Sequence, residues 1–232
     1  NKGFLVSNLL KVQSMGITSA RDSFVINFEK EVLKNIIIDF ANIEIDDAIT
    51  REKFFGNKKA GKYLKGDTRG WKMSEARITI ANNTHNDFLL PISYRPFDIR
   101  TIYYSDSMVD WGREEVMKHL TQDNIALCLV RVGRDADAHN YFLSNNITDK
   151  SISSSLDNAN VFPLYIYSEN SGQQTIEETT ERKPNLNQEI VNELTEKLGL
   201  TFTNEKETSE NTFTPIDILD YVYAVLHSPF YR

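Results

Sequence analysis

At 232 residues, with 40% hydrophobic and 25% charged side chains, the chain can form one large domain or two small ones around a real core. It opens on Asn1-Lys2-Gly3-Phe4 and nowhere reaches 18 consecutive apolar residues, so neither a secretory signal nor a membrane span is expected. The net charge of −7 argues against a polyanionic partner only if the charge is evenly spread, and it is not.

Residues 24–28, Phe-Val-Ile-Asn-Phe, read as a short strand, and Val32, Leu33, Ile36, Ile37 and Phe40 follow at helical spacing. A second helix starts near Asp46. Between Arg51 and Thr79 nine Lys and Arg face Glu52, Asp67 and Glu75, a local net of +6. The centre of this segment, residues 56–62, is flexible at both ends through Gly56 and Gly61. Its aromatics, Phe54, Phe55, Tyr63 and Trp71, allow two readings. They stack on bases while the cations hold phosphate, or they turn inward from a solvated surface. Residues 72–81 read as a further helix.

Residues 99–104 read as a strand, 114–120 as a short helix and 125–132 as a buried strand, with more strands at 141–144 and 161–167. The segment 145–160, rich in Ser, Asn and Asp, is expected to be a surface loop. Residues 168–185 are polar and without periodicity, a linker by composition, and from Glu169 to Glu210 the local charge is −6. Residues 186–198 are amphipathic. Thr214, Pro215 and Asp217 then give a capping-box start to a helix whose apolar face is Ile218, Leu219, Val222, Val225 and Leu226. Irregular interleaving of strands and helices points to an α+β fold with mixed sheet elements.

Catalytic motifs are missing. The sequence has no phosphate-cradling Gly-x-x-x-x-Gly-Lys-Ser/Thr, no Gly-x-Gly-x-x-Gly and no Gly-x-Ser-x-Gly. Glu181-Arg182-Lys183, the one Glu-x-Lys, falls in the linker, the wrong place for a preorganised nuclease centre. Asp135, Asp137 and His139 alternate as metal ligands on a strand would, but they sit beside Gly133 and Arg134 in what reads as a hairpin tip. All six prolines stand alone, so the Asp/Asn-Pro-Pro-Tyr/Phe loop of adenine amino-methyltransferases is absent. Cys128, the single cysteine, lies in an apolar run, which suits a core position and a reducing cytoplasm. With no initiator Met and an aromatic-rich end at Arg232, the chain is expected to be a piece of a longer polypeptide.

Five stretches carry a resemblance, in chain order: Ser14-Met15-Gly16-Ile17-Thr18-Ser19-Ala20-Arg21-Asp22, the segment from Tyr94-Arg95-Pro96-Phe97-Asp98 to Tyr104, Arg113-Glu114-Glu115-Val116-Met117, residues 161–167, and residues 217–229 with Tyr-Val-Tyr-Ala-Val-Leu-His-Ser-Pro. Together they resemble the C-terminal target-recognition (specificity) domain of type ISP restriction–modification enzymes. The resemblance implies a target-recognition-domain architecture and sequence-specific binding of double-stranded DNA. It also implies a methyltransferase domain as partner in the same polypeptide. S-adenosylmethionine, ATP and Mg²⁺ would then serve only other domains of an adenine-N6 methyltransferase and endonuclease, with no cofactor in this chain and no catalysis by it.

Residues 1–23 would connect from the methyltransferase, and 24–232 would form the recognition domain, with a break between lobes near 83–92 and a mobile linker over 168–185. Arg21, Lys58, Lys59, Lys62, Arg69, Arg95, Arg100 and Arg134 are the expected DNA contacts. Arg95, Asp98 and Arg100 have a structural reading too, as a buried network holding a turn. Base readers are expected in the loops 56–70, 132–140 and 145–160. Two other classes remain open: a metal-dependent nuclease built on Asp135, Asp137 and His139, and a protein-interaction module whose basic patch is incidental.

Overall fold

The computed structural model describes residues 4–59, 61–130, 141–168, 182–206 and 211–230. Helices and small sheets alternate irregularly, as an α+β chain should. The chain divides into two compact units, Ile17–Gly112 on one side and Asn1–Gly16 with Arg113–Arg232 on the other.

In the Ile17–Gly112 unit, the helix Lys30–Ala41 buries Leu33, Ile37 and Phe40 along one stripe. It packs on an antiparallel hairpin of Leu89–Arg95 and Asp98–Tyr103, to which Ile26–Asn27 adds a third strand. Residues 24–28, expected as one strand, are divided: Asp22–Val25 is a helical turn and only Ile26–Asn27 is extended. The expected break near 83–92 does not occur, because Leu89–Arg95 pairs along the neighbouring strand and is central to this unit. Arg77 is buried in the helix Met73–Ile80 and donates to the carbonyls of Phe40 and Ile45 at 2.9 and 2.8 Å. It thereby satisfies the C-terminal end of the helix Lys30–Ala41, which has no basic residue of its own there.

The other unit centres on four antiparallel strands in the order Ser14–Met15, Ala159–Pro163, Ala126–Val130, Tyr141–Ser144. Leu127, Leu129, Phe162 and Leu164 share a core with Ile190 and Val191 of the helix Gln188–Leu198 and with Ile218, Leu219 and Leu226 of Pro215–His227. Cys128 is fully buried, and burial pushes its thiol up to about 12, so it stays protonated and inert.

Parts of two expected loops are structured. Arg182–Pro184 pairs with Tyr165–Tyr167, and buried Asn185 donates to the carbonyls of Val12 and Pro163, both at 2.8 Å, so the linker ends before Arg182. Residues 169–181 lie outside the described residues. In 145–160 Asp149, Ile152 and Ser153 are buried, because the backbone of Asp149 and Lys150 lies against Gly16. A Cβ on Gly16 would stand 2.5 Å from Lys150 N, a contact that only glycine permits. The stretch through residue 23, expected to connect from a methyltransferase domain, is itself packed: Leu9 and Leu10 are core in one unit, and Ile17, Ser19 and Arg21 are buried in the other.

Candidate nucleic-acid interface

The basic segment begins on the helix Asp47–Phe55, capped by Asp46, whose carboxylate accepts from Ala48 N at 2.7 Å. Phe55 turns inward and meets Trp71, with ring centres 5.9 Å apart, while Phe54 joins Phe24 and Phe40 at 5.4 and 5.6 Å. Three of the four aromatics therefore belong to packing, and Tyr63 alone of them is exposed. Gly66, at φ +88°, lies beneath the Phe55 ring, where a Cβ would come within 2.4 Å. The close approach lets the chain double back and form one wall of a cleft.

That cleft holds about 550 Å³ and is lined by Lys53, Lys58, Lys59, Lys62 and Tyr63 together with Arg21, Ser23 and Phe24. Five of the segment's nine cations are neutralised inside the unit. Arg51 pairs with Asp67, Lys53 with Asp39, Lys65 with Glu52, Lys72 with Glu75 and Arg77 with Asp47. Lys58, Lys59, Lys62 and Arg69 are exposed and make no ion pair among the described residues. Four cations with uncompensated charge, three of them around one concavity, make a site for an extended anion.

Arg21 does not belong among them. Its side chain is only 4% exposed, ion-paired with Asp110 and bonded to the carbonyls of Ser19 and Met108, with its guanidinium 4.1 Å from the centre of the Trp71 ring. Burial pushes its pKa down, Asp110 opposes that, and the charge serves the fold. Burial leaves that side chain little surface to present to DNA.

The hairpin brings Arg95 and Arg100 to one aromatic ring. Their guanidinium carbons stand 3.8 and 4.2 Å from the centre of Tyr94, and Arg100 also lies 4.1 Å from that of Phe28. Arg100 is bidentate on Asp98, with Nε and Nη2 at 3.0 and 2.7 Å, and this bond holds the carboxyl of Asp98 below its ordinary range. The expected Arg–Asp pair is present, but half-buried and between Asp98 and Arg100. Sequence reading missed Tyr94 and Phe28 as the platform, and also the exposed Phe97 at the tip.

Arg134 and the loop 132–140, with Asp135, Asp137 and His139, lie outside the described residues. Among the described residues no three His, Cys, Asp or Glu gather in a way that could hold a metal ion. No described helix is long and apolar enough to cross a membrane.

The sequence profile described as "Type ISP C-terminal specificity domain" matches residues 8–232. Among curated proteins none matches the chain. A cryo-EM structure of a DrdV–DNA complex superposes with a TM-score of 0.65 at 20% identity, covering 95% of this chain and 20% of that one. The ATP-dependent type ISP restriction–modification enzyme LlaBIII bound to DNA gives 0.60 at 18% identity, over 96% of this chain and 13% of that one. A nuclease-deletion mutant of the type ISP enzyme LlaGI, in complex with a DNA substrate mimic, gives 0.56 at 18%, over 97% and 16%. The chain thus spans about a fifth or less of those polypeptides. With a profile match over nearly its whole length, this chain belongs to the family of type ISP C-terminal specificity domains.

Proposed function

We propose that this chain recognises double-stranded DNA as the specificity domain of a restriction–modification enzyme that methylates adenine N6. The observation that carries the reading is the lysine-lined cleft of the Ile17–Gly112 unit, with Lys58, Lys59 and Lys62 exposed and uncompensated in a chain whose net charge is −7. An acidic protein needs a concentrated local field to hold a polyanion, because screening confines each field to about 8–10 Å at physiological salt. Lysines suit the phosphate backbone, which sets register without reading sequence. Register matters because an adenine must leave the duplex before it can be methylated, and the rest of the duplex has to be held while it does.

The partner in this reading is a methyltransferase domain of the same polypeptide, working in the cytoplasm. S-adenosylmethionine, ATP and Mg²⁺ would be held by other domains, so the chain on its own binds without methylating or cutting. Fluorescence anisotropy with a labelled mixed-sequence duplex tests it across a salt series. Binding that weakens steeply with salt is expected, and salt-independent or absent binding would reject the reading.

A further inference from the structure

We propose that the lysine-lined cleft receives one nucleotide of the bound DNA turned out of the duplex, with its base stacked on Tyr63. The inference rests on the DNA-binding reading and deepens it. The adenine to be methylated belongs to a methyltransferase pocket, so the nucleotide held here is a different one.

A row of phosphates would satisfy Lys58, Lys59 and Lys62 but not the surface beside them. The same cleft is lined by Phe24, Ile36, Phe54 and Leu64, with Leu64 65% exposed and Phe54 half-buried. Apolar surface is stabilised by leaving water only against another apolar face, which phosphate lacks. The volume of about 550 Å³ lies within the roughly 300–1,000 Å³ of clefts that enclose a small organic molecule. Exposed cations beside apolar side chains in one concavity match a ligand that is both anionic and flat. A nucleotide is such a ligand. Tyr63 lines this cleft at 40% exposure, and the Lys62 ammonium stands 5.7 Å from the centre of its ring, so a stacking face and a phosphate-binding cation stand together. Asn57 and Thr68 add groups that can hydrogen-bond a base edge.

The wall that carries Tyr63 is held in place by the protein itself. Arg51 donates to the carbonyl of Lys65 at 2.7 Å and to Asp67 Oδ1 at 2.6 Å, and Lys65 donates to the carbonyl of Gly56 at 2.9 Å. These bonds tie the chain on the C-terminal side of Tyr63 and Leu64 back to the helix Asp47–Phe55 and its end. Asp67, the one acid among the described residues lining the cleft, is neutralised by Arg51, so it does not repel a phosphate. A preformed site loses less affinity to ordering its own side chains and loops.

Two labelled duplexes, alike except at a single bulged position, test this with the full chain by fluorescence anisotropy. One carries a bulged nucleotide and the other a bulged abasic sugar-phosphate, so charge and bulge are shared and only the base differs. The base-bearing bulge should bind about tenfold more tightly, the order contributed by one base–aromatic stack. Tyr63→Ala should erase that difference, and Tyr63→Phe, which keeps the ring, should preserve it. The salt slope and melting temperature of Tyr63→Ala should stay parental, because the side chain is uncharged and exposed. Equal affinity of the parent for the two bulges, or a difference that survives Tyr63→Ala, would overturn the inference and leave the DNA reading standing. A single-stranded oligonucleotide of the same sequence that binds more tightly than either duplex would overturn it in favour of a strand lying along the cleft. A parent chain that binds no duplex at all overturns the DNA reading and this inference with it.

Discussion

Tyr94 reaches across 72 residues of sequence to donate its hydroxyl hydrogen to Asp22 at 2.9 Å, and that bond fixes the ring on which Arg95 and Arg100 lie. The second oxygen of Asp22 accepts from the Ser19 hydroxyl, so the carboxylate is held from both sides. Charge-assisted bonds of this kind contribute more than neutral ones. Tyr94→Phe keeps the stacking platform and removes only the bond, and the expected loss of stability is about 1.5–3 kcal/mol by urea denaturation. Tyr94→Ala also removes the platform beneath two guanidiniums and should cost more. Equal losses for the two variants would mean that the stacking contributes nothing.

Replacing Lys58, Lys59 and Lys62 together by alanine should flatten the dependence of log affinity on log salt by about 2–3 units, at roughly 0.9 per neutralised phosphate. All three side chains are exposed and unpaired by acids among the described residues, so the melting temperature should hold. All duplex sequences should weaken alike, because phosphate contacts carry no sequence information. Lys53→Ala is the internal control. Its charge is already held by Asp39, so it should change the slope little. A triple variant with the parental slope would move the DNA-facing surface elsewhere.

The sequence made some of this legible and hid the rest for physical reasons. Helical spacing found Lys30–Ala41, and the cap signals found the start of Pro215–His227, because both are local. The strand Leu89–Arg95 escaped because Pro91 argues against a strand, although its position opposite Thr101 tolerates it. Lys58, Lys59 and Lys62 stood out by composition, but composition could not separate them from Arg51, Lys65 or Arg77. Those three are claimed by Asp67, Glu52 and Asp47, partners 16, 13 and 30 residues away. The pairing of Arg21 was hidden for the same reason, since its partner Asp110 is 89 residues distant. Pro96-Phe97-Asp98 carried a readable signal, a turn without Gly or Asn, that only the positive φ of Phe97 makes conspicuous.

Stability should fall as the solution is acidified through the histidine range. Burial, with the charge of Lys34 adding, holds the His85 imidazole below its ordinary 6.5. Its Nδ1 lies 3.0 Å from the hydroxyl of the fully buried Tyr103, which also accepts from Asn83 at 3.3 Å. A neutral His85 can accept the Tyr103 hydrogen, whereas a protonated ring can only donate and leaves that hydrogen without an acceptor. With the folded pKa below the unfolded one, the unfolded chain takes up the proton first as pH falls. The contribution is therefore whole above about pH 6.5 and declines below it. His85→Gln should flatten the urea midpoint between about pH 7 and pH 5 (both ends set by the ordinary histidine range) relative to the parent. An unchanged pH profile would show that another group titrates there.

The helix Pro215–His227 combines a cap and a core face, and the two should separate by mutation. The backbone N–H and the hydroxyl of Thr214 both donate to Asp217 Oδ2, at 2.8 and 2.6 Å, and these bonds hold the Asp217 carboxyl below the ordinary range. Leu226 lies at the other end, 7% exposed, in the core that holds Leu129, Phe162 and Ile190. Leu226→Ala leaves a void that side chains on a sheet and two helices cannot close together, so about 2–5 kcal/mol is expected. Thr214→Ala should cost about 0.5–2 kcal/mol, the range for losing a helix cap. The sites are about 18 Å apart along the helix at 1.5 Å per residue, too far to share a partner, so the double variant should show the sum of the two losses. Calorimetry or urea titration of the four proteins reads this directly. A Leu226→Ala protein as stable as its parent would make the helix a peripheral element, and a double variant well short of the sum would mean that losing either end frays the whole helix.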